Sequence, residues 1–399
     1  MEEIDVPSFF ICPISLQIMK DPVTISTGIT YDRESIEKWL FSSKNNTCPV
    51  TKQVVSDPDL TPNHTLRRLL QAWCTLNASH GVERIPTPKP PVSKAQISKL
   101  LNDAPKSPQS ITKCLRRLRS IASESEANKR SMESVGAVEF LASILLKGDN
   151  EQQAEALSVL YNLQVSESAL RSLLGKESEL IESLVKLIQS STYESRAYAV
   201  IMLRSMFEVA DTMKMINLRP EFFSGVLQVL RDQISQQASK ATLQLLIKVC
   251  PWGRNRIKAV EAGAVNVLIE LLLDASPDRR THEMAMMVLD MVCSSAEGRA
   301  ELLKHGAGLA VVSKKIMRVS KAASERAVRI LFSICKFSAT TNVLQEMLQL
   351  GVVAKLCLVL QVDSGSKTKE KAQEILKMHA KTWRNSTCIP KNLISSYPS

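Results

Sequence analysis

Phe9-Phe10-Ile11-Cys12-Pro13-Ile14-Ser15-Leu16, Met19-Lys20-Asp21-Pro22-Val23 and Gly28-Ile29-Thr30-Tyr31-Asp32-Arg33 follow one another at the start of a 399-residue chain. A helix-like Ser35-Ile36-Glu37-Lys38-Trp39-Leu40 comes next, then Cys48-Pro49-Val50-Thr51 and Leu60-Thr61-Pro62-Asn63. These stretches place apolar residues in turn-rich loops, unlike the helical pattern of the rest of the chain. A zinc cross-brace built on such loops needs about eight Cys/His ligands in closely spaced pairs. Residues 1–76 hold only Cys12, Cys48, Cys74 and His64, with no C-x-x-C pair, so a metal site is not expected. Polar side chains must pin the loops instead. The candidates are Ser26, Thr27, Thr30, Asp32, Arg33, Thr51, Lys52, Asn63 and Arg67, each of which also fits ordinary turn chemistry. Read on their own, Ile14 and Leu16 alternate as in a half-buried strand and would pack in a core. Phe10, Cys12 and Cys74 read as core residues, and Cys48 has no His nearby in sequence to act as a base.

Outward from this head, Ile85-Pro86-Thr87-Pro88-Lys89-Pro90-Pro91 reads as an extended, semi-rigid spacer. Thr87-Pro88 and Thr61-Pro62 are candidate phosphosites for a proline-directed kinase, which would add negative charge to linker and head. From residue 94 the chain repeats. An apolar triplet begins at Val138, Ile181, Phe223, Val265, Leu309 and Val353, at intervals of 43, 42, 42, 44 and 44 residues. A second marker, an alanine followed four residues later by an apolar residue, falls at Ala156, Ala199, Ala241, Ala285, Ala327 and Ala372. Gly136, Gly263, Gly306 and Gly351 open four of the units. A period in this range, with a small residue where helices cross, predicts an armadillo or HEAT solenoid. The expected layout is a head over 5–80, a Pro-rich linker over 81–93, a solenoid of six repeats plus an N-terminal cap over 94–384, and a tail over 385–399. Pro251-Trp252 is expected to break and kink the third repeat.

Charge is unevenly placed. Residues 1–78 carry 7 Lys/Arg and 9 Asp/Glu, while the whole chain is +11, so the solenoid side is strongly basic. Aromatic content of 5% with no stacking motif among the basic residues argues against nucleic acid as a partner. An acidic protein or an anionic lipid surface fits the charge better. Nine scattered cysteines fit a reducing compartment rather than a disulfide framework. The acidic start, Met1 to Asp5, is not expected to be a signal or transit peptide, and no apolar run approaches the ~18 residues of a membrane span. The expected location is the cytoplasm, with the nucleus as the alternative, and no cofactor is implied.

Residues 8–78 resemble the U-box, the zinc-free relative of the RING domain in E3 ubiquitin ligases. The I-C-P-I-S-L-x-I-M-x-D-P-V loop, the G-x-T-Y-D-R turn, the helix with Trp39, the C-P-V-T-K loop and the L-T-P-N-x-x-L-R helix start carry the likeness, in order. With Pro-Trp-Gly-Arg-Asn-Arg at 251–256 and Leu350 through Leu356, the chain as a whole resembles the plant U-box–armadillo ligases, most of all those linked to immune and stress responses. The fold this implies is mainly α, with a small α+β zinc-free head before an armadillo solenoid. The resemblance also implies that Ile14, Leu16, Trp39 and Pro49 dock an E2 ubiquitin-conjugating enzyme, and that Lys52 touches both E2 and ubiquitin. Cys12, Asp32, Arg33 and Asn63 would be structural. A protein substrate would bind the solenoid, and the head would form a homodimer. No nucleophile on this chain would take part. Peptide-binding armadillo proteins carry an asparagine ladder; here only Asn162 fits, the other positions being Ser205, Ile247, Met291, Ser333 and Met378. The rival readings are a non-enzymatic armadillo scaffold and a nuclear-transport adaptor.

Overall fold

The computed structural model describes residues 6–42, 45–55, 60–80, 82–83, 92–176, 179–190, 192–216, 218–274 and 278–383. Thr87, with residues 81 and 84–91 of the proline-rich linker, and the 385–399 tail lie outside the described residues. By packing, the chain divides into two compact units, 1–137 and 138–399. The division falls after the first solenoid helices rather than in the linker.

In the first unit, β1 (Pro22–Thr24) pairs antiparallel with β2 (Thr30–Asp32) and with β3 (Thr61–Pro62), in the order β2-β1-β3. Val23 faces Tyr31 on one side and Pro62 on the other. Strands this short do not hold a sheet unaided. They lean on α1 (Arg33–Glu37), which runs on into a π-helical turn over Lys38–Ser42, and on α2 (His64–Leu76). Phe10, Cys12, Met19, Val23, Tyr31, Ile36 and Leu70 make the buried core of this head. Asn63 caps α2, its side-chain oxygen accepting the Leu66 N–H at 3.0 Å. Helices α3 (Lys94–Asp103), α4 (Pro108–Glu124) and α5 (Glu126–Ser134) complete the unit.

The second unit opens with α6 (Ala137–Lys147) and α7 (Asn150–Leu163), and α8 (Glu167–Lys176), α9 (Leu180–Ser190) and α10 (Tyr193–Val209) form a full triplet. In the next repeat the first helix shrinks to a 3-10 turn, Thr212–Met215, before α11 (Pro220–Arg231) and α12 (Gln236–Val249). Triplets α13 (Gly253–Glu261), α14 (Ala264–Leu273), α15 (Arg279–Val292) and α16 (Ala296–Lys304), α17 (Gly308–Lys315), α18 (Lys321–Phe337) follow. The last triplet is α19 (Thr341–Gln349), α20 (Val352–Gln361) and α21 (Ser366–Met378), and α22 (Ala380–Trp383) ends it with Trp383 buried and its Nε1 donating to Leu344 O.

The six marker alanines all lie on third helices, α7, α10, α12, α15, α18 and α21, and all are buried. Successive members from α10 to α21 pack on one another, and a larger side chain at the crossing would hold them apart. Asp149, Thr192, Ser235 and Ser320 cap four of these helices with side-chain oxygens, each cap worth about 1 kcal/mol. Gly263 and Gly351 separate first from second helix at φ +88° and +69°, a conformation that costs an L-residue roughly 1–2 kcal/mol. Gly306 opens its unit without that conformation. Pro251-Trp252 kinks no helix: α12 has ended at Val249, and the pair sits in the turn before α13. The irregularity of that repeat lies earlier, at the 3-10 turn.

Buried asparagines fasten the start of two first helices. Asn255 Nδ2 donates to Val249 O (3.0 Å) and Met215 O (2.5 Å), while its Oδ1 accepts Leu218 N–H. Asn128 in the first unit does likewise with Ile121 O and Val92 N–H. One repeat beyond Asn255 the position is Gly298, where a Cβ would run into Val292 O, and the next residue, Arg299, donates through Nη1 to Cys293 O and Ser294 O. Arg299 is the counterpart of Arg256, and the two arginines reach Ser338 Oγ and Ser294 Oγ in the same way. Among the described residues no single helix is long and apolar enough to cross a membrane.

Candidate functional site

Two loops of the head have the same sequence pattern and the same backbone. Cys12-Pro13-Ile14-Ser15-Leu16-Gln17 and Cys48-Pro49-Val50-Thr51-Lys52-Gln53 both read Cys-Pro-aliphatic-Ser/Thr-x-Gln. In each, the Cys N–H donates to the Gln carbonyl at 2.8 Å and the fifth residue's N–H returns to the Cys carbonyl at 2.9 Å. The fifth residue takes the left-handed conformation in both, Leu16 at φ 56° and Lys52 at φ 61°. Such residues are held only where their surroundings over-determine the turn. Bridges Ile11–Ile18 and Thr47–Val54 close the two loops.

One strand fixes both loops. Asp32 N–H donates to Cys12 Sγ (3.3 Å), and the neighbouring Tyr31 hydroxyl lies 3.0 Å from Cys48 Sγ and accepts Val50 N–H (3.3 Å). Burial raises the Cys48 thiol pKa, but hydrogen bonds from hydroxyls, Thr51 and Tyr31 among them, and from the Thr51 N–H outweigh it and hold it at about 6. The sulfur is fully buried, and the hydrogen bonds it takes part in hold the loop together. Cys12, Cys48 and Cys74 are all buried.

The pins are carboxylates and guanidiniums. Asp32 Oδ1 accepts the N–H groups of Lys20 (2.7 Å) and Asp21 (2.9 Å). The Asp21 carboxylate receives Arg33 Nε at 2.6 Å and also Arg67 from α2. Asn63 Nδ2 donates to Thr30 Oγ1, which lies 2.9 Å from Thr24 Oγ1. Asp32, Arg33, Asn63, Thr30, Thr51 and Arg67 therefore act as pins, whereas Ser26 and the Lys52 side chain are exposed. Asp21, the hub of the set, was not among the sequence candidates. Glu37 is buried between Arg33 (3.8 Å) and Arg130 of α5 (3.7 Å); burial pushes its carboxyl up while both cations oppose that shift. Among the described residues no group of three or more His, Cys, Asp or Glu is placed to hold a metal ion.

Leu16 is 77% exposed, which departs from the core position that alternation assigned it: the residue sits at the left-handed corner of a turn, not in a strand. Ile14 is half-buried against the core, as is Trp39, whose Nε1 donates to Thr47 O at 2.8 Å and ties the α1 turn to the second loop. Pro49 is half-buried, with Val50 and Lys52 exposed beside it. Thr61 is exposed on β3. Asn162 is half-buried in α7, its amide donating to Ser158 O of the same helix.

The U-box domain model matches residues 6–79, and a model described as the plant U-box protein ARM repeat region matches 96–399. E3 ubiquitin-protein ligase PUB23 of Arabidopsis thaliana is 59% identical over 404 residues, covering 100% of this chain and 98% of the relative. The chain belongs to the plant U-box family of E3 ubiquitin ligases. E3 ubiquitin-protein ligase PUB22 of the same plant is 57% identical, with 100% of each chain covered. A solved structure concerning the interaction between cadherin and beta-catenin matches with a TM-score of 0.58 at 11% identity, over 81% of this chain and 58% of that one, a likeness of fold alone. As a plant U-box protein the chain is a ubiquitin transferase with E2 and ubiquitin as partners and an armadillo region for binding protein substrate.

Proposed function

We propose that the two Cys-Pro loops and the Trp39 turn dock the E2~ubiquitin conjugate, with Leu16, Ile14, Pro49 and Trp39 as apolar contacts and Lys52 reaching E2 and ubiquitin, while the solenoid holds the substrate. The observation that carries this reading is Leu16, a large apolar side chain left in water on a loop hydrogen-bonded at both ends. A loop ordered in advance loses little entropy on binding, so an exposed leucine there contributes nearly its full burial energy to a partner. Catalysis is by position: E2~ubiquitin and a substrate lysine are held together, which raises their effective concentration without a covalent intermediate on this chain. The proposal places this activity in the cytoplasm, in plant stress or immune signalling, on the strength of the family resemblance. Purified protein with E1, a panel of E2 enzymes, ubiquitin and ATP is expected to give polyubiquitin ladders; no ladder with any E2 would count against E2 docking by these loops.

The proposal extends to self-association of the head and to its control by phosphate at Thr61. Phe9, Leu69 and Leu76 form a second set of exposed apolar side chains on the head. Sedimentation velocity at micromolar concentration is expected to show a dimer, and a monomer would remove that part. Mass spectrometry of the protein from stimulated plant cells is expected to find phosphate at Thr61; an unmodified threonine would remove the second part.

A further inference from the structure

Toward the far end of the solenoid, three cations have no carboxylate at ion-pair distance among the described residues. Arg299 is only 7% exposed, yet its acceptors are all neutral: Ser338 Oγ (3.0 Å), Cys293 O (3.3 Å), Ser294 O (3.1 Å) and Ser333 Oγ (3.4 Å). Buried charges are normally paired, because desolvation costs more than neutral hydrogen bonds return. The counterpart of Arg299 one repeat earlier, Arg256, likewise donates to a neutral hydroxyl, that of Ser294. The Arg299 guanidinium also lies over the Phe337 ring at 5.0 Å.

Two more cations crowd the same spot. Lys336 Nζ is 5.8 Å from the Phe332 ring centre and 5.3 Å from that of Phe337, and Lys371 Nζ of α21 is 4.7 Å from Phe332. Among the described residues neither ammonium has a carboxylate within ion-pair distance, whereas Arg326 and Arg329 share the buried Asp290. Helices α18 and α21 together carry eight Lys/Arg against three Glu. Like charges converging on one ring repel unless an anion joins them.

We propose that Arg299, Phe332, Ser333, Lys336, Phe337 and Lys371 form a docking surface for an Asp/Glu-rich segment of a partner protein, with Phe337, 63% exposed, as the seat for an apolar side chain of that segment. The proposal rests on the substrate-recruiting role given above to the solenoid and names the chemistry of what it recruits. Charge complementarity selects the occupant. Nucleic acid bases need a run of open ring faces for stacking, and here only Phe337 is largely exposed. A bilayer needs a broader apolar margin than one exposed ring. A carboxylate-bearing chain can reach between the two ammoniums and toward the guanidinium behind them, where charge-assisted hydrogen bonds are strongest. Ser333 stands at an asparagine-ladder position, so the surface replaces amide recognition of a peptide backbone with charge recognition of its side chains.

The test is fluorescence anisotropy on the full-length protein with a labelled peptide of alternating Asp and Glu around one Leu, and with its Asn/Gln counterpart. Wild type is expected to bind the acidic peptide in a salt-dependent way and the neutral one far more weakly. Lys336→Gln with Lys371→Gln is expected to weaken acidic-peptide binding about tenfold and to flatten its salt dependence. Lys113→Gln with Arg117→Gln removes two charges from α4 instead and is expected to leave the affinity unchanged. Equal affinity in the Lys336/Lys371 variant, an equal loss in the α4 variant, or tighter binding of phosphatidylserine vesicles or single-stranded RNA through the same two lysines overturns the proposal. Autoubiquitination in the same preparations separates the two readings: its absence in wild type counts against the head's docking role, whereas intact ladders with unchanged peptide affinity in the Lys336/Lys371 variant count against this surface alone.

Discussion

Replacing Leu16 by alanine is expected to slow E2-dependent ubiquitin transfer by roughly thirty-fold, the loss of a hot-spot side chain worth ~2 kcal/mol, while leaving thermal unfolding unchanged. The two halves of this expectation have separate causes. At 77% exposure Leu16 gives the folded head little, and exposed substitutions away from caps and pairs stay within about 0.5 kcal/mol. Alanine meets the same left-handed backbone that leucine does, so the turn closed by Leu16 N–H to Cys12 O survives. What disappears is apolar area offered to the E2. Single-turnover discharge of a charged E2 onto free lysine reads this without any substrate, and the melting temperature is read in parallel. Discharge at the wild-type rate would end the docking role of the first loop. Ile14→Ala and Trp39→Ala are weaker probes. Ile14 packs on the core, and Trp39 also supplies the hydrogen bond to Thr47 O, so each loses stability together with any contact.

The contrast between Leu16 and the solenoid shows which features a sequence displays. The repeat was legible because one physical demand, a small residue where third helices cross, returns every 42–45 residues, from Ala156 to Ala372. Taken by periodicity alone Leu16 reads as core, because alternation of Ile14 and Leu16 mimics a strand; only the family resemblance assigned it to docking, while the deciding fact is a left-handed corner. A signal was present all the same: residues 12–17 and 48–53 share one pattern, and setting them side by side marks both as the same turn. The 3-10 turn at Thr212–Met215 was hidden by the unbroken period, since the loop keeps the length of the helix it replaces. Asp21 was hidden for another reason. An Asp-Pro pair reads as a local turn, but its carboxylate serves Arg33 and Arg67, 12 and 46 residues away, and pairing over such distances is settled only by the folded chain.

That pairing makes Asp21 the most sensitive point of the head. Asp21→Ala is expected to destabilise it by about 2–4 kcal/mol, somewhat below the range for a fully buried pair because the side chains of Asp21, Arg33 and Arg67 keep 17%, 22% and 16% exposure. The loss exceeds that of an ordinary surface ion pair because Arg67 loses its carboxylate and Arg33 keeps only the longer contact to Glu37 at 3.8 Å, in a site shaped around the Asp21 carboxylate. Asp21→Asn keeps the shape and loses the charge, and is expected to cost nearly as much. Hydrogen exchange on the full chain localises the effect. Amides whose bonds tie the first loop to β2 and α2, those of Lys20, Asp21, Arg33 and Asn63, are expected to lose protection, while those of α10 to α21 keep theirs. Because the Asp21, Arg33 and Arg67 ion pairs hold the loops, chelator is expected to leave the wild-type exchange pattern untouched. Wild-type protection in the Asp21→Ala head would mean that core packing alone fixes the loops, and the ion-pair hub would then be incidental to the surface that meets the E2.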